Sequence, residues 1–252
     1  MTIPSYLPYF ILTGTLVMLG AILFGLHLAL QRAGWKPGER KASVGWAAAI
    51  LFGWFAAAIA LALLNVYAAG SNDVPTIQFG IFLPILIGAV LFWRSAGLAR
   101  ILHAVPQQWL VGVQLYRAEG GVFLVLYATG WLPALFAWPA GLGDLLVGVL
   151  APVIAIAYAR APGQNADLVR AWNLFGLADL LVAVTTGFLT SPSTLQLFAF
   201  DTPNELVSRF PLVLIPTFLV PLSVLLHLAS LAKLRQERPL QQTPSVHAGM
   251  CA

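Results

Sequence analysis

The chain has 252 residues, of which 60% are hydrophobic and only 9% are charged, and its formal net charge is +4. Soluble globular domains carry about 25% charged residues, so this composition excludes an ordinary soluble domain and indicates a membrane protein. A single cysteine, Cys251, excludes a disulfide framework and a thiolate metal cluster. We therefore expect no metal site. We also expect no nucleic-acid partner, because the sequence contains no folded basic domain.

Seven segments are long and apolar enough to cross a bilayer, which requires about 20 mostly apolar residues per helix. In chain order they are residues 7–30, 42–67, 77–93, 107–136, 141–158, 168–189 and 206–231. The long fourth segment is either one tilted helix or a surface helix followed by a span. No basic residue precedes the first segment, so we expect it to be retained and not cleaved as a signal peptide. We predict an all-α bundle of seven transmembrane helices over residues 1–232 and a disordered cytoplasmic tail over residues 233–252.

The charges are segregated between the two sides of this predicted bundle. Eleven of the thirteen lysines and arginines fall on one side, whereas Asp73, Asp201 and Glu205 fall on the other. Under the positive-inside rule the N-terminus is outside and the C-terminus is cytoplasmic. We therefore expect an integral protein of the plasma membrane, which in a bacterium is the inner membrane, with the lipid bilayer as its first partner.

Five charged residues fall inside the predicted membrane segments: Arg117, Glu119, Asp144, Asp179 and Arg209. An ionised group in hydrocarbon costs several kcal/mol unless it is paired, hydrated or neutralised. At 1.5 Å of rise per residue, Arg117 matches Asp179 in depth near the midplane, and Asp144 matches Arg209 nearer the outside. These depths predict two ion pairs. Glu119 remains unpaired and is the candidate proton carrier.

Small or polar residues accompany three of these charges at helical spacing. Gln114 and Asn173 lie on the same helix faces as Arg117 and Asp179. Residues 141–149 and 176–184 match at seven of nine positions, and each window carries its aspartate at the fourth place. Small residues let membrane helices approach closely, so these faces point toward other helices. We predict a substrate or ion site among the fourth to seventh segments.

Two short motifs resemble those of the intramembrane aspartyl proteases of the presenilin and prepilin-peptidase type. Residues 141–144 read Gly-Leu-Gly-Asp, similar to Gly-x-Gly-Asp, and residues 133–135 read Pro-Ala-Leu. The resemblance implies a catalytic pair of Asp144 and Asp179. The order of the motifs departs from the presenilin pattern, and the two aspartates differ in their predicted depth.

Two histidines offer a cofactor alternative, since His27 and His227 both fall near the cytoplasmic ends of their segments. A pair of such histidines can ligate a b-type haem. We otherwise expect no cofactor.

We find no metalloprotease, serine-hydrolase or phosphate-loop motif, so the intramembrane protease is the one enzymatic alternative that the sequence leaves open. The leading hypothesis is a small-solute or proton-coupled transporter, or a ligand-binding membrane protein. The alternative is a non-catalytic subunit or assembly factor of a larger membrane complex. Other membrane subunits, or further copies of the chain in a homo-oligomer, are the candidate protein partners.

Overall fold

The computed structural model describes residues 3–241, with side chains through residue 236, and every regular element in that range is helical. The α-helices are α1 (Leu7–Arg32), α2 (Pro37–Leu63), α3 (Ile77–Arg94), α4 (Ala96–Ala104), α5 (Gln107–Gly112), α6 (Val122–Ala128), α7 (Ala134–Arg160), α8 (Pro162–Thr190) and α9 (Val220–Gln241). Two 3-10 segments, Val113–Gly121 and Leu206–Ser208, and a π-helical turn, Ile215–Leu219, complete the set. Within residues 3–241, seven helical stretches are long and apolar enough to cross a membrane, which confirms an all-helical chain with seven helices of that kind.

The predicted boundaries of the fourth and fifth spans are wrong. The fourth stretch is continuous from α5 through the 3-10 segment to α6 and ends at Ala128, not at residue 136. Gly130 adopts a positive φ of 78° just after this end, and the backbone N–H of Trp131 bonds back to the carbonyl of Leu126. This is a common way for a helix to stop. Helix α7 then begins at Ala134, seven residues before the predicted start.

The seventh span also begins later than predicted, at Ile215 and not at residue 206. The intervening residues form a short 3-10 helix and turns, in a stretch that contains Pro211. At its other end α9 continues to Gln241, beyond the predicted limit of 231. The rest of the predicted tail, residues 242–252, lies outside the described residues.

Helices α7 and α9 form the centre of the bundle. Helix α7 packs on α8, on α5 and α6, and on the 3-10 segment Val113–Gly121, whereas α9 packs on α3, α5 and α8. Helices α1, α2 and α3 lie at the periphery and bury few of their residues. Phe218 joins the two regions, because its ring lies 4.6 Å from Trp54 and 5.0 Å from Phe55 of α2.

The two ends of the bundle differ in charge. At one end Arg32 stacks over Trp109, and the Lys233 ammonium donates to the carbonyl of His103 at 2.9 Å. At the other end the N–H of Thr194 donates to the carbonyl of Asp73 at 3.0 Å. This bond joins the connection between α2 and α3 to the connection that follows α8. We refer to these ends as the cationic end and the acidic end.

Candidate functional site

Arg117 is the centre of a buried polar cluster that joins the 3-10 segment Val113–Gly121 to α7, α8 and α9. Its Nε and Nη2 donate to Oδ1 of Asp144 at 2.8 and 2.7 Å, and its Nη2 also pairs with Oδ2 of Asp179. Its Nη1 donates to the carbonyl of Gly176 at 3.2 Å and lies 3.2 Å from Nε2 of His227. Arg117, Asp144 and Asp179 are 3%, 7% and 9% exposed. One guanidinium therefore holds two carboxylates out of solvent.

The predicted pairing is right for Arg117 with Asp179 and wrong for Asp144 with Arg209. Arg209 lies in the connection before the last span, with 54% of its side chain exposed, and its Nη2 is 3.4 Å from Oε2 of Glu205. Asp144 lies deeper than predicted because α7 begins at Ala134. Ten residues of helix place it roughly 15 Å from the acidic end, and Asp179, eleven residues before the end of α8, lies at a similar depth.

The two aspartates at equivalent places in the near-repeat, residues 141–149 and 176–184, thus meet at the same side chain. Consecutive helices α7 and α8 bring them there from opposite chain directions. The Arg117 guanidinium contacts both carboxylates, whereas an aspartyl protease needs two carboxylates that share a proton directly. The arrangement therefore favours a charge-paired site over the protease alternative.

Glycines allow the charged groups to fit between the helices. A Cβ on Gly143 would overlap the carboxylate of Asp179, and a Cβ on Gly120 would overlap that of Asp144. A Cβ on Gly176 would come 2.5 Å from the ring of His227. Gly120 and Gly143 lie outside the faces predicted from helical spacing. The room that these two glycines leave for the carboxylates is visible only in the packing of the helices, and no sequence pattern predicted it.

A hydrogen-bonded chain runs from Arg117 toward the cationic end. Nδ1 of His227 lies 2.9 Å from Oδ1 of Asn173, whose amide donates to Oγ of Ser230 at 2.9 Å. The amide of Gln107 donates to the same Oγ at 2.7 Å. All four side chains are buried. Sequence reasoning missed Gln107, because a glutamine at the predicted start of a span looks like an interfacial residue.

A second branch joins the 3-10 segment to α9. Gln114 donates to the carbonyl of Ser223 at 3.2 Å and accepts from its hydroxyl at 3.1 Å. The hydroxyl of Tyr116 lies 2.5 Å from Oγ of Ser223 and donates to the carbonyl of Leu219 at 3.2 Å. Gln114 was predicted for the site, whereas Tyr116 was missed because tyrosine in an apolar segment is usually packing.

Glu119 is half-buried and lies on the side of the 3-10 segment that faces α1. A Cβ on Gly14 of α1 would overlap the Glu119 carboxylate, so the glycine makes room for it. Among the described residues no basic side chain lies within 4 Å of this carboxylate. The structure thus leaves Glu119 without an ion pair, as the sequence predicts.

Two small cavities adjoin each other between the acidic end and the Arg117 cluster. The first, of about 60 Å³, is lined by Tyr67 and Ser193 near the acidic end and reaches Asp144. The second, of about 20 Å³, has Tyr116, Arg117, Glu119, Asp144 and Ser223 among its lining residues. The two share four lining residues: Asp144, Leu180, Ile215 and Val220. The second cavity, which we call the inner chamber, has space for about one water molecule.

The same geometry bears on the other candidate ligands. His227 has both ring nitrogens engaged, by Arg117 and by Asn173, so binding a haem iron would require it to give up one contact. His27 lies on the peripheral helix α1 and is only half-buried. In the part of the chain that the structure describes, no group of three or more His, Cys, Asp or Glu residues is placed to hold a metal ion.

Residues 74–235 match the family described as Domain of unknown function (DUF8737). The chain belongs to this family. The DUF8737 segment begins just before α3 and includes Arg117, Asp144, Asp179 and His227, whereas α1 and α2 precede it. No curated protein and no solved structure matches the chain.

Proposed function

We propose that this protein is a membrane transporter that takes a small cationic solute or a proton from the acidic end to the Arg117 cluster. The observation that carries the proposal is the path of two adjoining cavities that ends on Asp144, Arg117 and Glu119. A purely structural ion pair has no need of such a path, since pairing and hydrogen bonding alone compensate its burial.

The balance of charge around the chamber supports a cation as the ligand. Arg117 contributes one positive charge, and Asp144, Asp179 and Glu119 contribute three negative charges when ionised, so the sum is −2. Excess negative charge in a low-dielectric site attracts a positive ion or a proton. Glu119, which has no ion-pair partner among the described residues, is the proposed proton carrier.

The half of the bundle between the Arg117 cluster and the cationic end is closed in the proposed mechanism. Below Arg117 the chain of His227, Asn173, Ser230 and Gln107 fills the space between α5, α8 and α9 with direct hydrogen bonds. Transport would require this chain to open after the cavities close. Breaking a few hydrogen bonds costs far less than exposing apolar surface in the same place, because each contributes about 1 kcal/mol net.

We further propose that the cationic end faces the cytoplasm, with the N-terminus outside and the membrane being the plasma membrane, or the inner membrane in a bacterium. The support is the segregation of lysine and arginine toward the connections of that end. In this orientation the cavities open to the exterior.

The test uses purified full-length protein in proteoliposomes that contain a pH-sensitive dye. Ammonium and methylammonium serve as cationic probes, acetate serves as the anionic comparison, and a membrane potential, negative inside, drives uptake. We expect a dye response above that of empty liposomes for the wild type with the cations but not with acetate. Glu119→Gln should lower this response about tenfold or more, because general proton transfer at a positioned group contributes at least that much.

Glu39→Gln is the matched control, since Glu39 is exposed on the first turn of α2. It should leave the dye response unchanged. A wild-type protein that moves neither cation nor proton would overturn the transport proposal. If that protein also co-purifies stably with other membrane proteins, the result would favour a non-catalytic subunit of a larger complex.

A further inference from the structure

A long apolar groove lies on a different face of α9 from the Arg117 cluster. Its walls are α2 and α3, its floor is α9, and α4 lies beneath the end at Leu98 and Leu102. Its volume is about 770 Å³, far larger than either cavity of the polar site. The lining runs along α3 from Phe79 to Phe92, a helical length of roughly 20 Å.

The dimensions of the groove favour a thin apolar chain over a helix. A 20-residue membrane helix is about 30 Å long, whereas the lining of the groove extends for only about 20 Å along α3. The lining is almost wholly apolar, with Tyr67, Thr76 and Thr217 as its hydroxyl-bearing members. An acyl chain needs no hydrogen-bond partner, so it suits this lining.

Two arginines continue the lining faces of α2 and α3 beyond the end of the groove that faces the cationic end. Arg40 lies seven residues before Ala47 and fourteen before Trp54, which line the groove, so it lies on the same face of α2. Arg94, at the end of α3, follows the lining residue Leu91 by three. The Nε of Arg40 is buried and has no hydrogen-bond partner within the described part of the chain. At the other end the lining includes Val66 and Thr76 but no charged residue.

We propose that this groove binds an anionic phospholipid, with one acyl chain lying between α2 and α3 and the phosphate held by Arg40 and Arg94. Arginine suits a phosphate because its guanidinium presents several donors in a fixed geometry. Basic pockets between membrane helices on the cytoplasmic side bind anionic headgroups in this way. The site is independent of the Arg117 cluster, so its test can fail without affecting the proposed transport.

The experiment measures lipid retained by the full-length protein after purification from nanodiscs of phosphatidylcholine with or without phosphatidylglycerol, by native mass spectrometry. We expect the wild type to retain one phosphatidylglycerol per chain in preference to phosphatidylcholine. The double variant Arg40→Gln/Arg94→Gln should retain roughly tenfold less phosphatidylglycerol. The control double variant Arg160→Gln/Arg170→Gln removes the same charge from α7 and α8 at the cationic end, outside the groove lining, and should retain the lipid as the wild type does.

A second pair of variants tests the apolar part of the site. Ala57 lines the groove, whereas its neighbour Ala56 is exposed and does not. Ala57→Trp should displace the lipid and Ala56→Trp should not, with helix content by circular dichroism confirming that both fold. Equal retention by the two double variants, or no preference for phosphatidylglycerol, would overturn the proposal. A wild-type dimer that Ala57→Trp converts to a monomer would also overturn it, by showing that a second copy occupies the groove.

Discussion

At the scale of single residues, Arg117 determines the state of the polar cluster. It compensates two buried carboxylates, contacts His227 and donates to the carbonyl of Gly176. Two negative charges at this depth have no other basic partner among the described residues. Removing Arg117 therefore affects more than its own contacts, because it leaves both carboxylates buried and uncompensated.

We predict that Arg117→Gln destabilises the protein by about 3–5 kcal/mol, the usual cost of breaking a buried ion pair. Thermal unfolding in detergent, followed by size-exclusion fluorescence, measures the change. The control is Arg170→Gln, since Arg170 pairs with Asp167 on the exposed first turns of α8 and surface pairs contribute about 0–1 kcal/mol.

The triple variant Arg117→Gln/Asp144→Asn/Asp179→Asn separates charge from shape. It should recover a large part of the loss of Arg117→Gln, because no uncompensated charge remains. If the triple variant is less stable than Arg117→Gln, the cost would come from lost packing and not from the buried carboxylates.

At the scale of elements, the site depends on how closely α7 approaches α8 and the 3-10 segment. Gly143 of α7 lies against the Asp179 carboxylate, and Gly148 lies against the backbone of Ala118. Such close contacts between glycine and a neighbouring helix are typical of membrane bundles, where small residues let backbones approach. Here they also set the distance between the carboxylates and Arg117.

Gly143→Ala should therefore destabilise the protein by about 1–3 kcal/mol or more, the range for overpacking a close contact. In Gly45→Ala the added Cβ meets open space on α2, so the substitution should be neutral or stabilise by about 0.5–1 kcal/mol. Thermal unfolding of both variants in the same detergent measures the difference. Equal unfolding temperatures for the two would contradict the proposed fit of α7 against Asp179.

The sequence was sufficient to predict the seven described helices that are long and apolar enough to cross a membrane, and the Arg117–Asp179 pair, since both follow from hydropathy and helical rise. It was not sufficient to predict the partner of Asp144, because the depth of that residue depends on where α7 begins. Apolar residues 134–140 read equally well as the end of one span or the start of the next. The structure assigns them to α7 and so moves Asp144 inward by nearly two turns.

Gln107 and Tyr116 show a different limit of sequence reasoning. In an apolar segment a glutamine such as Gln107 is commonly interpreted as an interfacial residue, and a tyrosine such as Tyr116 is commonly interpreted as a packing residue. Their roles depend on Ser230 and Ser223, which are more than 100 residues away in the chain. A contact at that separation needs the tertiary structure, and helical periodicity in one segment cannot predict it.

At the scale of the whole molecule, the bundle is asymmetric about the Arg117 cluster. The half toward the acidic end contains the two adjoining cavities, whereas the half toward the cationic end is filled by the chain from His227 to Gln107. We therefore expect a solute to reach Arg117 from the acidic end only. In the proposed orientation that end is the exterior.

Cysteine accessibility in intact cells measures from which end the cavities are reached, in a Cys251→Ser background that removes the native thiol. Ala183 lines the cavity near Asp144, whereas Ala151 lies fully buried in α7 on the other side of the cluster. Ser71, exposed at the acidic end, provides the positive control. We predict that a small, membrane-impermeant methanethiosulfonate cation modifies Ser71→Cys and Ala183→Cys but not Ala151→Cys. Modification of Ala151→Cys as fast as Ala183→Cys, or of Ser71→Cys alone, would contradict the account.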